Sequence, residues 1–260
     1  QARPLYIESR ELAARIGDTR GIAIAWQNLG MLDANRGAYA VARDAFERAL
    51  PLFEQTGDQR GMNMSWGNLG EIALHEGRLD DAERLYRQSL EGYQHIAMPD
   101  KVAHQYRNLG TIALQRNDAA EAQRLSLNAL AIYRRIGSRH GETAALNALG
   151  DALRAQNDYA HAEQNYRAAL QLAKEINALP RALDALCGMA QLAAQRGDQE
   201  RAVEMFTLVA HHAATDGDAR RAACEQLDTL EKKMSAALFA QAAARGNQTE
   251  LVDSRDFSPS

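Results

Sequence analysis

The sequence is short of the residues that brace or break a chain: two cysteines, five prolines and 6% aromatics among 260 residues. Cys187 and Cys224 cannot form a disulfide framework, and with no signal-peptide core in view the expected compartment is the reducing cytoplasm. Scarce proline excludes a collagen-like chain or a Pro-rich linker, and scarce aromatics beside abundant alanine turn away from a β-sandwich toward helices. No apolar run approaches the ~18 residues of a membrane span, so no membrane role is expected. An excess of positive charge is also missing. The 30 basic and 34 acidic side chains give −4 with neutral histidines, leaving no field to recruit nucleic acid directly. Hydrophobic residues at 46% and charged residues at 25% exclude a disordered chain. Nucleotide loops, C-x-x-C, H-E-x-x-H and G-x-S-x-G are absent, so no catalytic residue, cofactor or metal is expected. The seven histidines never take metal-ligand spacing, and adjacent His211 and His212 point about 100° apart on a helix.

What the chain has instead is a period of 40. Trp26-Gln27-Asn28-Leu29-Gly30 returns as Trp66 to Gly70, Tyr106 to Gly110 and Leu146 to Gly150, and Ala190 continues the series. A second half follows in phase: Ala42 with Phe46, Ala82 with Tyr86, Ala122 with Ser126, Ala162 with Tyr166, Ala202 with Phe206. Between the halves stand Gly37, Gly77, Asn117, Asn157 and Gly197, residues that accept the left-handed conformation closing a helix. Gly17, Gly57, Gly137 and Gly217 are expected to close the second helix, with Asp18, Asp58, Ser138 and Asp218 capping the next first helix. Each unit therefore reads as helix, turn, helix, and stacking the pairs buries one continuous core. Trp26 and Trp66 read as core. An interior glycine costs about 1 kcal/mol, so Gly30 and its counterparts require a close helix approach. Pro51, inside an expected second helix, predicts a kink or early break.

The order aromatic-x-x-Leu-Gly, then Ala-x-x-x-aromatic, resembles the tetratricopeptide repeat over roughly residues 1 to 218. Asp33 stands where the family often has Tyr, Ser126 replaces an aromatic, and 40 rather than 34 residues separate the units, as in the long form found in bacterial signalling proteins. The resemblance implies an all-α, right-handed superhelical solenoid of antiparallel helix pairs. It would comprise a half repeat (1–18), full repeats at 19–58, 59–98, 99–138, 139–178 and 179–218, capping helices at 219–245 around Leu227, Leu230, Met234, Leu238 and Phe239, and a polar tail at 246–260. The start at Gln1 suggests a fragment cut inside the solenoid.

If the first helices line an inner wall, residues one and two before the repeated Leu and one after the repeated Gly face the concave groove. This places Gln27, Asn28, Asn68, Glu71, Arg107, Asn108, Thr111, Asn147 and Asp151 there, with Asn35, His75 and Arg154 one turn on and His104 one turn before. Met31, Gly67, Gln115, Asp184, Cys187 and Gln191 fall on the same wall. Amide and mixed-charge groups suit the backbone of a bound peptide, and tetratricopeptide domains similar to this one bind peptides through such an asparagine column. The alternative is that the asparagines bridge neighbouring helices. Ile24 and Met64 replace the lysines of family members that clamp acidic tails, leaving Arg107 and Arg154 as inner-wall cations.

The resulting expectation is a non-catalytic protein- or peptide-binding module. The Gly-Asp-x-Arg-Gly connections at 17–21 and 57–61 resemble those of C-terminal regions in bacterial signal-transduction ATPases and transcriptional regulators. By that resemblance, the partner could also be a nucleotide-binding domain of the parent chain. The rival is a quorum-sensing type of peptide receptor.

Overall fold

A computed structural model describes residues 2–215 and 217–249, so the expected tail lies outside the described residues from position 250 onward. Thirteen helices and no strand occur among the described residues. They are α1 (Ala2–Arg15), α2 (Thr19–Ala34), α3 (Tyr39–Thr56), α4 (Gln59–His75), α5 (Leu79–His95) and α6 (Pro99–Gln115). The series continues with α7 (Ala119–Arg135), α8 (Arg139–Ala155), α9 (Tyr159–Glu175), α10 (Leu179–Gln195), α11 (Gln199–His211), α12 (Gly217–Glu231) and α13 (Ala236–Gln248). The chain divides into two compact units, Gln1–Arg116 and Asn117–Ser260. In each unit, every helix packs against the next in sequence through α11; α12 and α13 both pack on α11.

The turns follow from two devices. Gly37, Gly77, Asn117, Asn157 and Gly197 all have positive φ, between 60° and 85°, and so do Gly17, Gly57 and Gly137. Asp18, Asp58 and Ser138 accept hydrogen bonds from the N–H of Gly21, Gly61 and Gly141, satisfying a donor that a helix start leaves free. Asp118, Asp158 and Asp198 do the same at α7, α9 and α11. The left-handed column extends further than the glycines, to Ala97 and Asn177, each with φ 53°.

Three expectations are corrected. Gly217 opens α12 rather than closing a helix, and Asp218 falls within that helix instead of capping it. α11 stops at His211 because a side chain does the work of the missing cap. The Arg220 guanidinium donates to the carbonyls of Ala210, His212 and Thr215, and Thr215 Oγ1 donates to Val209 O. Second, α3 runs unbroken through Pro51, whose side chain is exposed, so the carbonyl deprived of its donor lies toward solvent. Third, α13 reaches Gln248, beyond the expected boundary at 245.

The core is a column of rings set against glycines. A β-carbon on Gly30 would lie 2.8 Å from the Phe46 ring, and one on Gly70 would lie 2.9 Å from Tyr86. These glycines make room for an aromatic of the second helix, which is why the interior glycine is retained despite its helix cost. In unit 2, Tyr166 is held between Gly150 of α8 and Gly188 of α10. Phe46, Tyr86, Tyr166 and Phe206 are all fully enclosed. Trp26 is only half buried, with the guanidinium carbons of Arg10 and Arg48 4.6 and 5.0 Å from its ring centroid; Trp66 is also half buried.

Consecutive pairs are joined at their turns by polar clasps spaced 33 residues apart. Arg43 pairs with Glu76, Glu83 with Arg116, and Glu163 with Arg196 at 2.5 Å, whereas Gln156 donates to Gln123 at 2.9 Å. Arg245 of α13 supplies the last clasp, to Glu200 and Glu204 of α11.

Candidate functional site

Two of the expected groove residues are interior. Gln27 is 3% exposed, and its amide donates to Gly61 O and Ser65 Oγ, both at 3.1 Å. Asn147 is 7% exposed, and its amide donates to Arg181 O at 3.2 Å. These amides fasten one first helix to the next because the position lies on the face that meets the neighbouring pair. A third residue is out of register. The position equivalent to Asn35, His75 and Gln115 is Ala155; Arg154 instead shares a half-buried position with Ala34, Leu74, Leu114 and Ala194.

The remaining residues of unit 1 stay closer to solvent. Asn28, Asn68, Arg107 and Asn108 are half buried, while Asn35, Glu71, His75, His104 and Thr111 are exposed. Asn108 Nδ2 lies 3.4 Å from His104 Nδ1, and the Thr111 hydroxyl donates to Arg107 O at 3.4 Å. His75 stacks on Tyr39 with centroids 4.7 Å apart. The Asn68 amide nitrogen is enclosed without a hydrogen-bond partner. Asn35 forms the C-terminal cap of α2, its N–H bonding to Met31 O and Asp33 O.

Unit 2 gathers its polar groups more tightly. The Tyr166 hydroxyl donates to Asp151 Oδ1 at 2.6 Å, and Arg154 Nη2 lies 4.0 Å from the same oxygen. Burial raises the Asp151 pKa above the ordinary carboxylate value, and the negative charge of Asp184 adds to the rise; Tyr166 and Arg154 oppose it. Yet 40% of the Asp151 side chain is open. Asp151 is thus a carboxylate held against its neighbours on one side and open to solvent on the other. Burial, then Asp151 and Asp184, push the Cys187 thiol up to about 11, which favours its protonated form at neutral pH. Gln191 Nε2 sits 3.9 Å from Cys187 Sγ. Arg154 Nε is enclosed without a partner. Both cysteines are free, and no cluster able to hold a metal occurs among the described residues.

Tyr166 is the member of this cluster that reading the first helices alone misses. A signal for it exists. Fifteen residues before each second-helix ring lies the position after the repeated glycine: Met31 with Phe46, Glu71 with Tyr86, Asp151 with Tyr166, Gln191 with Phe206. The ring is a tyrosine only where that partner is a carboxylate. Burial and then Glu71 raise the pKa of Tyr86 as well.

Comparisons with known proteins agree with this architecture. Residues 61–135 and 103–175 match the tetratricopeptide repeat family. Solved structures similar to the chain include BtubC from P. vanneervenii, at 16% identity, TM-score 0.64, covering 90% of this chain and 91% of that one. A Rap protein complexed with competence and sporulation factor is similar at 17% identity and TM-score 0.65, over 90% of this chain and 72% of that one. So is a signal transduction ATPase with numerous domains and a tetratricopeptide repeat sensor from Pyrococcus horikoshii, at 17% identity and TM-score 0.62, over 90% of this chain but 39% of that one. No curated protein matches the sequence. The repeat match and the helix-pair stack together make this a tetratricopeptide repeat protein.

Proposed function

We propose that the chain is a non-catalytic binding module for a protein segment or peptide, serving as the sensor or interaction part of a larger cytoplasmic signalling or transcription-regulating protein. The observation that carries this reading is the Asp151, Tyr166 and Arg154 cluster. It offers an open carboxylate and a guanidinium on rigid helices, with no activated nucleophile beside them. Such an arrangement recognises main-chain amides and charged side chains rather than transforming them. In unit 1, the half-buried Asn28, Asn68 and Asn108 present a second amide-rich face. Similarity to the ATPase with a repeat sensor supports a partner within a parent chain, including its nucleotide-binding domain. Similarity to the Rap protein crystallised with competence and sporulation factor supports the rival, a receptor for a short peptide.

A displayed random-peptide library tests the proposal. The wild type is expected to enrich a sequence class that Asp151→Ala with Arg154→Ala loses, while Asn68→Ala with Asn108→Ala reports on the face in unit 1. Enrichment unchanged in both variants would place binding elsewhere. A peptide receptor would also show a large rise in melting temperature with saturating peptide, since a ligand at 100 times its Kd stabilises by about 2.7 kcal/mol.

A further inference from the structure

We infer that the junction of α4, α5 and α6 is a yielding joint, one that opens short of global unfolding and brings the interior amides of Asn63 and Gln105 to water. Asn63 is fully enclosed and Gln105 is 4% exposed, yet Asn63 Nδ2, Asn63 Oδ1 and Gln105 Oε1 have no hydrogen-bond partner. Asn63 is alone among the described residues in having both of its polar atoms enclosed in this way. A buried polar atom without a partner bears the full cost of losing its water, and opening the junction restores that water. The closed state is therefore favoured less here than where the same contact is apolar.

The other pairs place alanine at most of these positions. The column of Asn63 otherwise holds Ala23, Ala103, Leu183 and Thr143, whose hydroxyl donates to Arg139 O. The buried Ser89 shares its column with Ala49, Ala129, Ala169 and Val209, while Ser65 and Gln105 share theirs with Ala25, Ala145 and Ala185.

The junction also lacks filling and a fastener that its counterparts have. A β-carbon at Gly92 of α5 would overlap the Asn63 amide, whereas the other pairs carry Leu52, Ile132 and Leu172 in that column. Gln27 and Asn147 fasten one first helix to the next from the column of Gly67, which has no side chain to offer. A β-carbon there would lie 3.4 Å from Ser89 Oγ and from Gln105 Nε2, so the bare turn of α4 faces the polar seam. Gly61, Gly67 and Gly70 all fall within α4, and each weakens the helix. Asn68 follows Gly67 on α4, and Arg107 and Asn108 follow close after Gln105 on α6, so opening the joint changes the spacing of the half-buried wall of unit 1.

Native-state hydrogen exchange of the full chain over a urea series tests the joint. Core amides of α4 and α5 are expected to exchange through an opening that depends weakly on urea, and faster than those of α8 and α9. Asn63→Ala with Gly92→Leu, which reproduces the pairing of Ala23 with Leu52, should slow the α4 and α5 amides by about tenfold or more and leave α8 and α9 unchanged. Gly67→Gln with Gln105→Ser, which reproduces the fastener of Gln27 and Ser65, should slow α4 and α6 and carries the test if the first repair does not fold. With Cys187→Ala and Cys224→Ser, Ser89→Cys should react with a thiol reagent in urea well below the unfolding midpoint, and Ala169→Cys at the equivalent position should not. Wild-type α4 and α5 amides as slow as those of α8 and α9, a folded repair with unchanged exchange, or a slowing shared equally by unit 2 would overturn the proposal.

Discussion

Units 1 and 2 use the same ring column for different ends. In unit 1, Phe46 and Tyr86 each press on one glycine of their own pair, Gly30 and Gly70. In unit 2, Tyr166 is gripped by Gly150 and also by Gly188 of the next pair, and its hydroxyl is committed to Asp151. One side chain there sets both the fit of three helices and the chemistry of an open carboxylate. In unit 1 two unpartnered amides lie inside, at Asn63 and Gln105, and a third, Asn68, lies on the half-buried wall. A repeat frame can therefore be held constant while its polar load moves between interior and face.

The largest effect should come from breaking the grip. A β-carbon at Gly188 overlaps the Tyr166 ring, at Gly150 it lies 2.6 Å away, and at Gly70 it lies 2.9 Å from Tyr86. Overpacking of this kind costs about 1–3 kcal/mol, which exceeds the gain of about 1 kcal/mol from placing alanine in a helix. Gly188→Ala should destabilise most in urea unfolding, then Gly150→Ala, then Gly70→Ala. Gly67→Ala makes the control. Its β-carbon meets nothing closer than 3.4 Å, so it should stabilise by up to ~1 kcal/mol. If all four move stability in the same direction, the glycines are not there for the rings.

Acid acts with opposite signs on Asp151 and on the paired carboxylates of unit 1. Asp151 has a raised pKa, chiefly from burial, so folding disfavours its charged form; that penalty applies above the folded pKa and is relieved as pH falls through it. Glu76 and Glu83 are lowered, by Arg78 and Arg43 and by Arg87 and Arg116. Burial raises Asp58, but the Gly61 N–H and Arg20 overcome it. These three contribute stability above their unfolded pKa values and lose it as pH falls through the lowered ones. Asp151→Asn should therefore stabilise modestly at pH 7, by a fraction of about 1 kcal/mol, because solvent on its open side screens the penalty. Its advantage should vanish once the wild-type carboxyl is protonated. A gain that persists unchanged at acid pH would mean the effect is not titration.

The frame was legible because a period of 40 states each helix end several times. Gly and Asn marked eight left-handed turns, but Ala97 carries no such signal and was missed, and Gly217 carried the signal without the turn. There Arg220, in the column of Arg20 and Arg60, turns back to close the preceding helix by its side chain. The face was legible in part. Column position selects a wall without saying which residues meet the next helix, so Gln27 and Asn147 read as ligand groups although they are fasteners. Arg154 was taken one position out of column. Tyr166 was hidden because it sits on the second helix, and only its pairing with Asp151 gives it away.

The left-handed positions allow a finer comparison. Ala97 in unit 1 and Asn177 in unit 2 occupy equivalent turns with the same φ of 53°. Alanine is strained there, whereas asparagine tolerates the region. Ala97→Gly should therefore gain about 0.5–1 kcal/mol net of the extra freedom of the unfolded chain, and Asn177→Gly less. Equal gains in thermal unfolding would show that the turn carries no strain peculiar to alanine.

The smallest effect lies in the clasps. In unit 1 the turn residue Arg116 meets Glu83 and Asp80; in unit 2 its counterpart Gln156 meets Gln123 and the Ala119 carbonyl, neutral partners in the same geometry. These groups lie at the surface, with Asp80 almost fully open, Arg116 36% and Glu83 25% open, and a charge pair there contributes only about 0.2–1 kcal/mol, which salt screens. Converting the neutral clasp with Gln123→Glu and Gln156→Arg should thus stabilise unit 2 by no more than about 0.5 kcal/mol, and the gain should fade in molar salt. Glu83→Gln with Arg116→Gln should remove a similar amount from unit 1. The single exchanges identify the mechanism. Gln156→Arg alone has no carboxylate to meet at position 123, so a gain equal to that of the double variant would assign the benefit to helix-end electrostatics at α8 rather than to the clasp.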